Sequence, residues 1–144
     1  MTAQEMWDRF SAENNITGNY EAWSYGDTPD ELVRLTLAGV KTATASLQYW
    51  YEQENLPLPK AGEYSVVLDR KDSAVCIIQT QRVYTVPFSQ VTAAHAWKEG
   101  EGDRSLQYWR EVHERFFQSE LAEIGVAFRA EMDVVCEEFI RVYP

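Results

Sequence analysis

Few residues of this chain combine type and spacing that could do chemistry, and most fall in two short stretches. In "GVKTATAS", residues 39–46, Lys41 stands three residues before Thr44. A threonine hydroxyl is a usable nucleophile only with a base beside it, and a lysine can be that base once desolvation draws its pKa from about 10.4 toward neutrality. In "HAWKEGEGDRS", residues 95–105, Glu99, Glu101 and Asp103 crowd a loop in which glycines at 100 and 102 bracket Glu101. Neighbouring charge and a desolvating wall can keep one such carboxyl protonated for general acid or base work. His95 precedes this loop and is placed to orient it. Asp103 reads as the N-cap of the next helix. Arg104 and Ser105, read in its first turn, could hold an anion alongside exposed backbone amides.

Each stretch also has a plainer reading. Ideal alternation puts Thr42, Thr44 and Ser46 on one strand face and turns Lys41 away from Thr44. The two meet only if the chain turns near Gly39; otherwise this is a threonine-rich strand start with a solvated lysine. The acidic loop lacks the spaced ligands of a calcium site, and His95 and His113 show no zinc spacing, so neither metal nor cofactor is expected. His113 reads as a structural hydrogen-bonder. Cys76 and Cys136 sit in apolar runs, where free cysteine behaves as a small buried hydrophobe; a disulfide is not implied.

A nucleophile of this kind needs a pocket with apolar walls. "YEAWSYGD" supplies Tyr20, Trp23 and Tyr25, and "LQYWYE" supplies Tyr49, Trp50 and Tyr51. Such rings also suit a flat heterocycle, because stacking on a base contributes about 1–3 kcal/mol.

The elements that must position these groups are legible in outline. Thr2 and Glu5 have capping-box spacing, and Met6, Trp7 and Phe10 line one side of a helix that should end near Asn14 and Asn15. Thr28 as N-cap, Pro29, Asp30 and Glu31 open a second helix that Gly39 closes. "LQYWYEQEN" reads as a short aromatic helix, and "LPLPKAGEY" as a proline-punctuated connection. "EYSVVLDRKDSAVCIIQTQRVYTVPF" gives two β-rich runs joined at "DRKDS", the second long enough to bend. A helix follows Asp103, with Leu106, Trp109, Val112, Phe116 and Phe117 at helical spacing, and "EMDVVCEEFIRVY" closes the chain as a strand. This order is not the regular alternation of a doubly wound parallel sheet; an α+β fold around a small mixed or closed barrel fits it.

The 144 residues suffice for one domain, and the formal net charge of -10 argues against a protein that coats long nucleic acid nonspecifically. There is no basic-then-apolar leader, and no apolar run nears the roughly 20 residues of a membrane span. A soluble, cytoplasmic protein is expected.

Taken in order, "YEAWSYGD", "LAGVKTATAS", "LPLPKAGEYSVVLD", "VPFSQV" and "EGEGDRSLQYWREVHERFF" resemble the ASCH domain family, whose fold is a PUA-like β-barrel. The resemblance runs from about Tyr20 to the final strand. It implies a single ASCH (PUA-like) domain over residues 1–144, α+β in class, with a small mixed β-barrel flanked by helices and an N-terminal helix at about 2–14 that the resemblance does not reach. The family is associated with RNA metabolism. Members resembling this architecture hydrolyse the amide of N4-acetylcytidine with a lysine, a threonine and a glutamate, and RNA cleavage has been attributed to others. Matched by position, the lysine following the glycine is Lys41, the threonine three residues on is Thr44, and the glutamate four residues beyond a histidine is Glu99. His95 stands in the expected place. The chain is longer than the small amidohydrolase members and adds the aromatic front segment and the "EGEGDRS" helix start, which bear on the substrate.

The resemblance therefore implies a hydrolase acting on an acylated cytidine or similar modified nucleoside. Lys41 would take the proton of Thr44, Thr44 would attack the acyl carbon, and Glu99 would protonate the leaving amine or activate water. Trp23, Tyr25, Tyr49, Trp50, His95 and Arg104 are the expected substrate contacts. The partner would be a modified nucleoside or RNA, with no DNA and no membrane. The alternatives are a noncatalytic RNA-binding module, with Lys41, Lys98 and Arg104 on phosphate and Trp23, Tyr49 and Trp50 stacking bases, and a metal-independent ribonuclease.

Overall fold

Thr2 opens the first helix as its spacing requires: its hydroxyl accepts from the Glu5 amide while the Glu5 carboxylate takes the Thr2 amide. In the computed structural model, which describes residues 1–144, this helix, α1, spans Ala3–Asn14 and ends on left-handed Asn15. It buries Met6, Trp7 and Phe10 against Val66 and Ile77. Burying one such side chain fully contributes about 1.5–3 kcal/mol, so α1 is a part of the core and not an appendage.

The strands are β1 (Glu21–Ser24), β2 (Ala43–Leu47), β3 (Tyr64–Leu68), β4 (Ala74–Pro87) and β5 (Asp133–Tyr143). They form one curled sheet in the order β1-β3-β4-β5-β2. β1 pairs with β3 in parallel, and every other pairing is antiparallel. The long strand β4 bends through register shifts at Ile77/Ile78 and Thr80/Arg82, which lets a short sheet curl. The outer strands β1 and β2 do not pair, so the barrel is open on one side. β1 went unforeseen, because "EAWS" is too short and polar to carry a strand pattern.

The remaining helices are α2 (Pro29–Leu37), α3 (Gln48–Gln53), α4 (Ala93–Glu99) and α5 (Leu106–Ala122). Two helix starts differ from the sequence expectation. Thr28 precedes α2 in a left-handed conformation and makes no capping bond; Glu31 binds Arg34 instead. Ser105, not Asp103, is the N-cap of α5, accepting from the Tyr108 amide, while Asp103 accepts the Ser105 amide. Arg104 consequently lies before the helix, at φ +65°. Cys76 and Cys136 are buried free thiols. No helix is long and apolar enough to cross a membrane.

Candidate functional site

Gly39 takes φ +76° just beyond α2, and the amides of Val40 and Lys41 both return to the Leu35 carbonyl. That turn ends before β2 begins at Ala43, so strand alternation does not govern Lys41, and its side chain runs into the protein. Thr42 binds the Lys98 carbonyl through its amide at 2.7 Å, which ties the start of β2 to the end of α4. α4 then stops at Gly100, whose φ of +75° and lack of a β-carbon are both required: an added Cβ would lie 2.6 Å from the Val40 carbonyl oxygen. The two stretches singled out in the sequence are thereby pressed together.

Lys41 Nζ donates to Glu99 Oε1 and to Glu101 Oε2, each at 3.0 Å, with the lysine only 1% exposed. Glu99 is equally buried, and both its oxygens are engaged. Oε2 accepts from Trp109 Nε1 at 2.6 Å and lies 2.7 Å from His95 Nε2; Oε1 lies 3.6 Å from His113 Nε2. A carboxylate can only accept, so His95 donates through Nε2 and its buried Nδ1 is left bare. His113 stacks on Trp109 with ring centroids 4.1 Å apart and donates from Nδ1 to the Trp109 carbonyl. Glu101 is the more open carboxylate, its side chain 15% exposed.

These contacts set the charges. Burial pulls the Lys41 ammonium down, but Glu99 and Glu101 outweigh it and hold its pKa above the ordinary lysine range. Desolvation alone would have made Lys41 a neutral base; the two carboxylates reverse that. Burial pushes Glu99 up, yet Lys41 and His113 bring it well below the usual carboxylate range. Glu101 moves the other way: burial raises it, the Glu99 charge adds to this, and the pull of Lys41 does not cancel them. Burial opposes the charged form of His113, and Glu99 more than restores it. Glu99, Glu101 and His113 bring possible ligand atoms within 4.8 Å of one another, but the Lys41 ammonium already supplies the cation between the two carboxylates.

Two adjoining cavities open beside this cluster. The smaller, about 50 Å³, is lined by Tyr25, Lys41, Thr44, Glu99, Glu101 and His113. The larger, about 260 Å³, fills the open side of the barrel between β1 and β2, with Trp23, Thr44, Ser46, Tyr51, Thr80 and Glu137 on its walls. Tyr25, Gly26, Thr44 and Ala45 border both. Thr44 and Lys41 thus face one small space, although no hydrogen bond joins them. Tyr25 anchors the partition, its hydroxyl 2.8 Å from Thr36 Oγ1 and its ring 5.2 Å from the Lys41 ammonium.

The family model for the ASCH domain matches residues 21–143. The chain belongs to the ASCH domain family. This ASCH domain has the PUA-like fold, of RNA-binding type, that the sequence resemblance implied. It is similar to the crystal structure of an ASCH domain from Lactobacillus crispatus JV V101, at 32% identity and a TM-score of 0.89, covering 98% of this chain and 94% of that one. It is also similar to a protein of Enterococcus faecalis V583 assigned to the DUF984 family model, at 34% identity and a TM-score of 0.90, covering 97% of this chain and 87% of that one. Both similarities extend over nearly the whole chain and so take in α1, which the family model leaves out. No curated protein matches the sequence.

Of the substrate contacts expected from sequence, the ASCH domain brings Trp23 and Tyr25 to the cavities. Tyr49 and Trp50 instead pack against the core around Leu47 and Phe117, and neither lines either cavity. His95 is buried behind Glu99, and Arg104 lies outside, stacked 3.7 Å over the exposed Trp97 ring with Nε on the Trp97 carbonyl. Sequence reasoning missed Trp109, Thr80 and Glu137 as site residues and gave His113 too small a part; of the three rings it offered from "LQYWYE", Tyr51 alone lines a cavity. The even spacing of Thr42, Thr44 and Ser46 did signal one wall: Thr44 and Ser46 line the larger cavity, with Ser46 Oγ 2.9 Å from the Tyr51 hydroxyl.

Proposed function

We propose that this ASCH domain is an amidohydrolase acting on a nucleoside that carries a small acyl group on an exocyclic amine, N4-acetylcytidine being the first candidate. One observation carries the reading: a fully buried lysine, clamped between two carboxylates of opposite pKa tendency, faces a threonine across a cavity with room for little more than an acyl group. A water takes about 30 Å³ of liquid volume, so the smaller cavity suits an acetyl-sized group and the larger one a base and sugar.

Glu101 as carboxylate takes a proton from Lys41, and the amine so formed takes the hydroxyl proton of Thr44 as Oγ attacks the acyl carbon. Lys41 is then an ammonium again, with one N–H on Glu99. The N–H it gained from Thr44 lies beside the tetrahedral centre, where it faces the developing oxyanion. Collapse breaks the acyl C–N bond, and the proton returns from Glu101 through Lys41 to the departing amine. Water then attacks the acyl-threonine by the same relay, releasing the carboxylic acid and restoring Thr44. Glu99 holds Lys41 in place and does not transfer protons, since its depressed pKa makes it a poor acid and all its lone pairs point at protein. This differs from the role the resemblance assigns to Glu99.

For the noncatalytic RNA-binding alternative, the three expected phosphate contacts are already engaged within the protein, Lys41 wholly and Lys98 in a surface ion pair. Lys41 is buried, Lys98 pairs with Glu138 at 3.1 Å, and Arg104 is committed to Trp97. The test is cytidine release from N4-acetylcytidine in metal-free buffer, followed by chromatography, beside Lys41→Ala and Thr44→Ala. Release that both folded variants lose supports the reading; no release by the native protein removes this substrate.

A further inference from the structure

Among the polar groups of the larger cavity that the hydrolysis does not use, Glu137 is the one paired with the nucleophile's own strand position. Glu137 on β5 is the direct cross-strand partner of Thr44 on β2, so it reaches the cavity beside the nucleophile. Its Oε2 accepts from the Thr80 hydroxyl at 3.3 Å, and Oε1 is uncommitted. The cavity's lining contains no lysine, arginine or histidine; its other ionisable side chains are Glu21 of β1, Glu63 just before β3, Tyr25 beyond β1, Tyr51 of α3 and Tyr64 of β3. A phosphate would meet only negative charge there, whereas an uncharged aromatic base would lie among Trp23, Tyr51 and Tyr64. At about 260 Å³ the space falls just under the roughly 300–1,000 Å³ of sites for drug-sized ligands.

We infer that the Glu137 carboxyl, in its acid form, reads a base edge that sets a ring-nitrogen acceptor beside an exocyclic N–H donor, as cytosine and adenine present and uracil and hypoxanthine do not. The Thr80 hydroxyl donates to Oε2, which holds that oxygen as the carbonyl acceptor and puts the proton on Oε1. Oε1–H then donates to the ring nitrogen while Oε2 also accepts from the exocyclic N–H, a two-bond match that uracil, needing the reverse, does not make. This inference rests on the hydrolase reading for the placement of the base. It adds how the base is chosen, and it places the exocyclic nitrogen beside Thr44. Burial, with Glu63 and Glu21 adding to it against the Thr80 hydrogen bond, raises the Glu137 carboxyl to about 7, so the acid form is available near neutrality.

The experiment is titration calorimetry of the full chain with cytidine and with uridine at pH 6 and pH 8.5, for the native protein, Glu137→Gln and Glu137→Ala. Below the Glu137 pKa the acid form dominates and cytidine binds; above it, affinity should fall about tenfold per pH unit. Uridine should bind at least about tenfold more weakly than cytidine at pH 6, the loss expected for an unmatched buried hydrogen-bonding pair. A glutamine offers N–H and C=O at every pH, so Glu137→Gln should keep cytidine affinity and lose its pH dependence, while Glu137→Ala weakens binding at both. Equal binding of the two nucleosides, no binding of either, a pH-independent native affinity, or a Glu137→Gln variant as weak as Glu137→Ala would each overturn the inference. Cytidine binding with this pattern but no turnover of N4-acetylcytidine would sink the hydrolase and leave the base recognition standing.

Discussion

Lys41 and Glu99, 58 residues apart in the chain, meet at 3.0 Å with each side chain 1% exposed. Breaking such a pair by removing one member strands the other charge, at a cost of about 3–5 kcal/mol. Lys41 keeps Glu101 at 3.0 Å, so Glu99→Gln should lower the unfolding free energy by part of that amount, about 1–3 kcal/mol, in urea titrations. A loss under about 1 kcal/mol would show that the pair does not hold the site.

Glu101 should separate from Glu99 by phenotype. It is the more open of the two and serves as the proton's destination, so Glu101→Gln should cut the turnover number about 10²–10⁴-fold while folding survives. Equal turnover in Glu101→Gln and the native enzyme would remove the relay.

Activity should rise with pH as Glu101 loses its proton, because the relay needs its carboxylate and burial raises its pKa above the ordinary carboxylate range. The limb should be absent from the residual activity of Glu101→Gln. A limb that persists unchanged in that variant belongs to another group.

Lys41→Met removes the ammonium shared by Glu99 and Glu101, and their pKa values should climb. A carboxyl raised above its unfolded value contributes stability that is present at low pH and lost as pH rises through the folded pKa. The variant should thus approach native stability at pH 5 and fall behind it at pH 8. Thermal unfolding at the two values checks this; a deficit that shrinks with rising pH would contradict it.

Gly100→Ala combines positive φ with a clash on the Val40 carbonyl. Backbone strain of this kind costs about 1–3 kcal/mol, and here it would also shift Glu99 and Glu101 relative to Lys41. Stability and turnover should fall together, whereas Arg104→Ala, outside both cavities, should leave turnover within about twofold, as surface changes of about 0.5 kcal/mol do.

How far the sequence speaks depends on whether a feature is local. The capping box at Thr2 and Glu5, the amphipathic face of α1, the loop between β3 and β4 and the alternation of Thr44 and Ser46 are all local patterns, and all appear in the structure. The Gly39 turn was foreseen as the condition for Lys41 to approach Thr44, and it is there. The misplaced features depend on distant partners. Tyr49 and Trp50 face the core because α3 packs on β5, and Asp103 yields the cap because Arg104 takes a left-handed turn. Glu137 carries no motif; only the register that sets it opposite Thr44 brings it into the cavity. The Lys41 charge was misjudged for the same reason, since burial could be anticipated from sequence and two carboxylates at 3.0 Å could not.

The most direct test of the central claim is to mix the protein with N4-acetylcytidine, quench in acid within the first turnovers, and map any added mass by peptide analysis. A threonine nucleophile predicts one acetyl group on the peptide containing Thr44, formed as cytidine appears. Cytidine release that Thr44→Ala retains, with no acetylated peptide in the native protein, would contradict it.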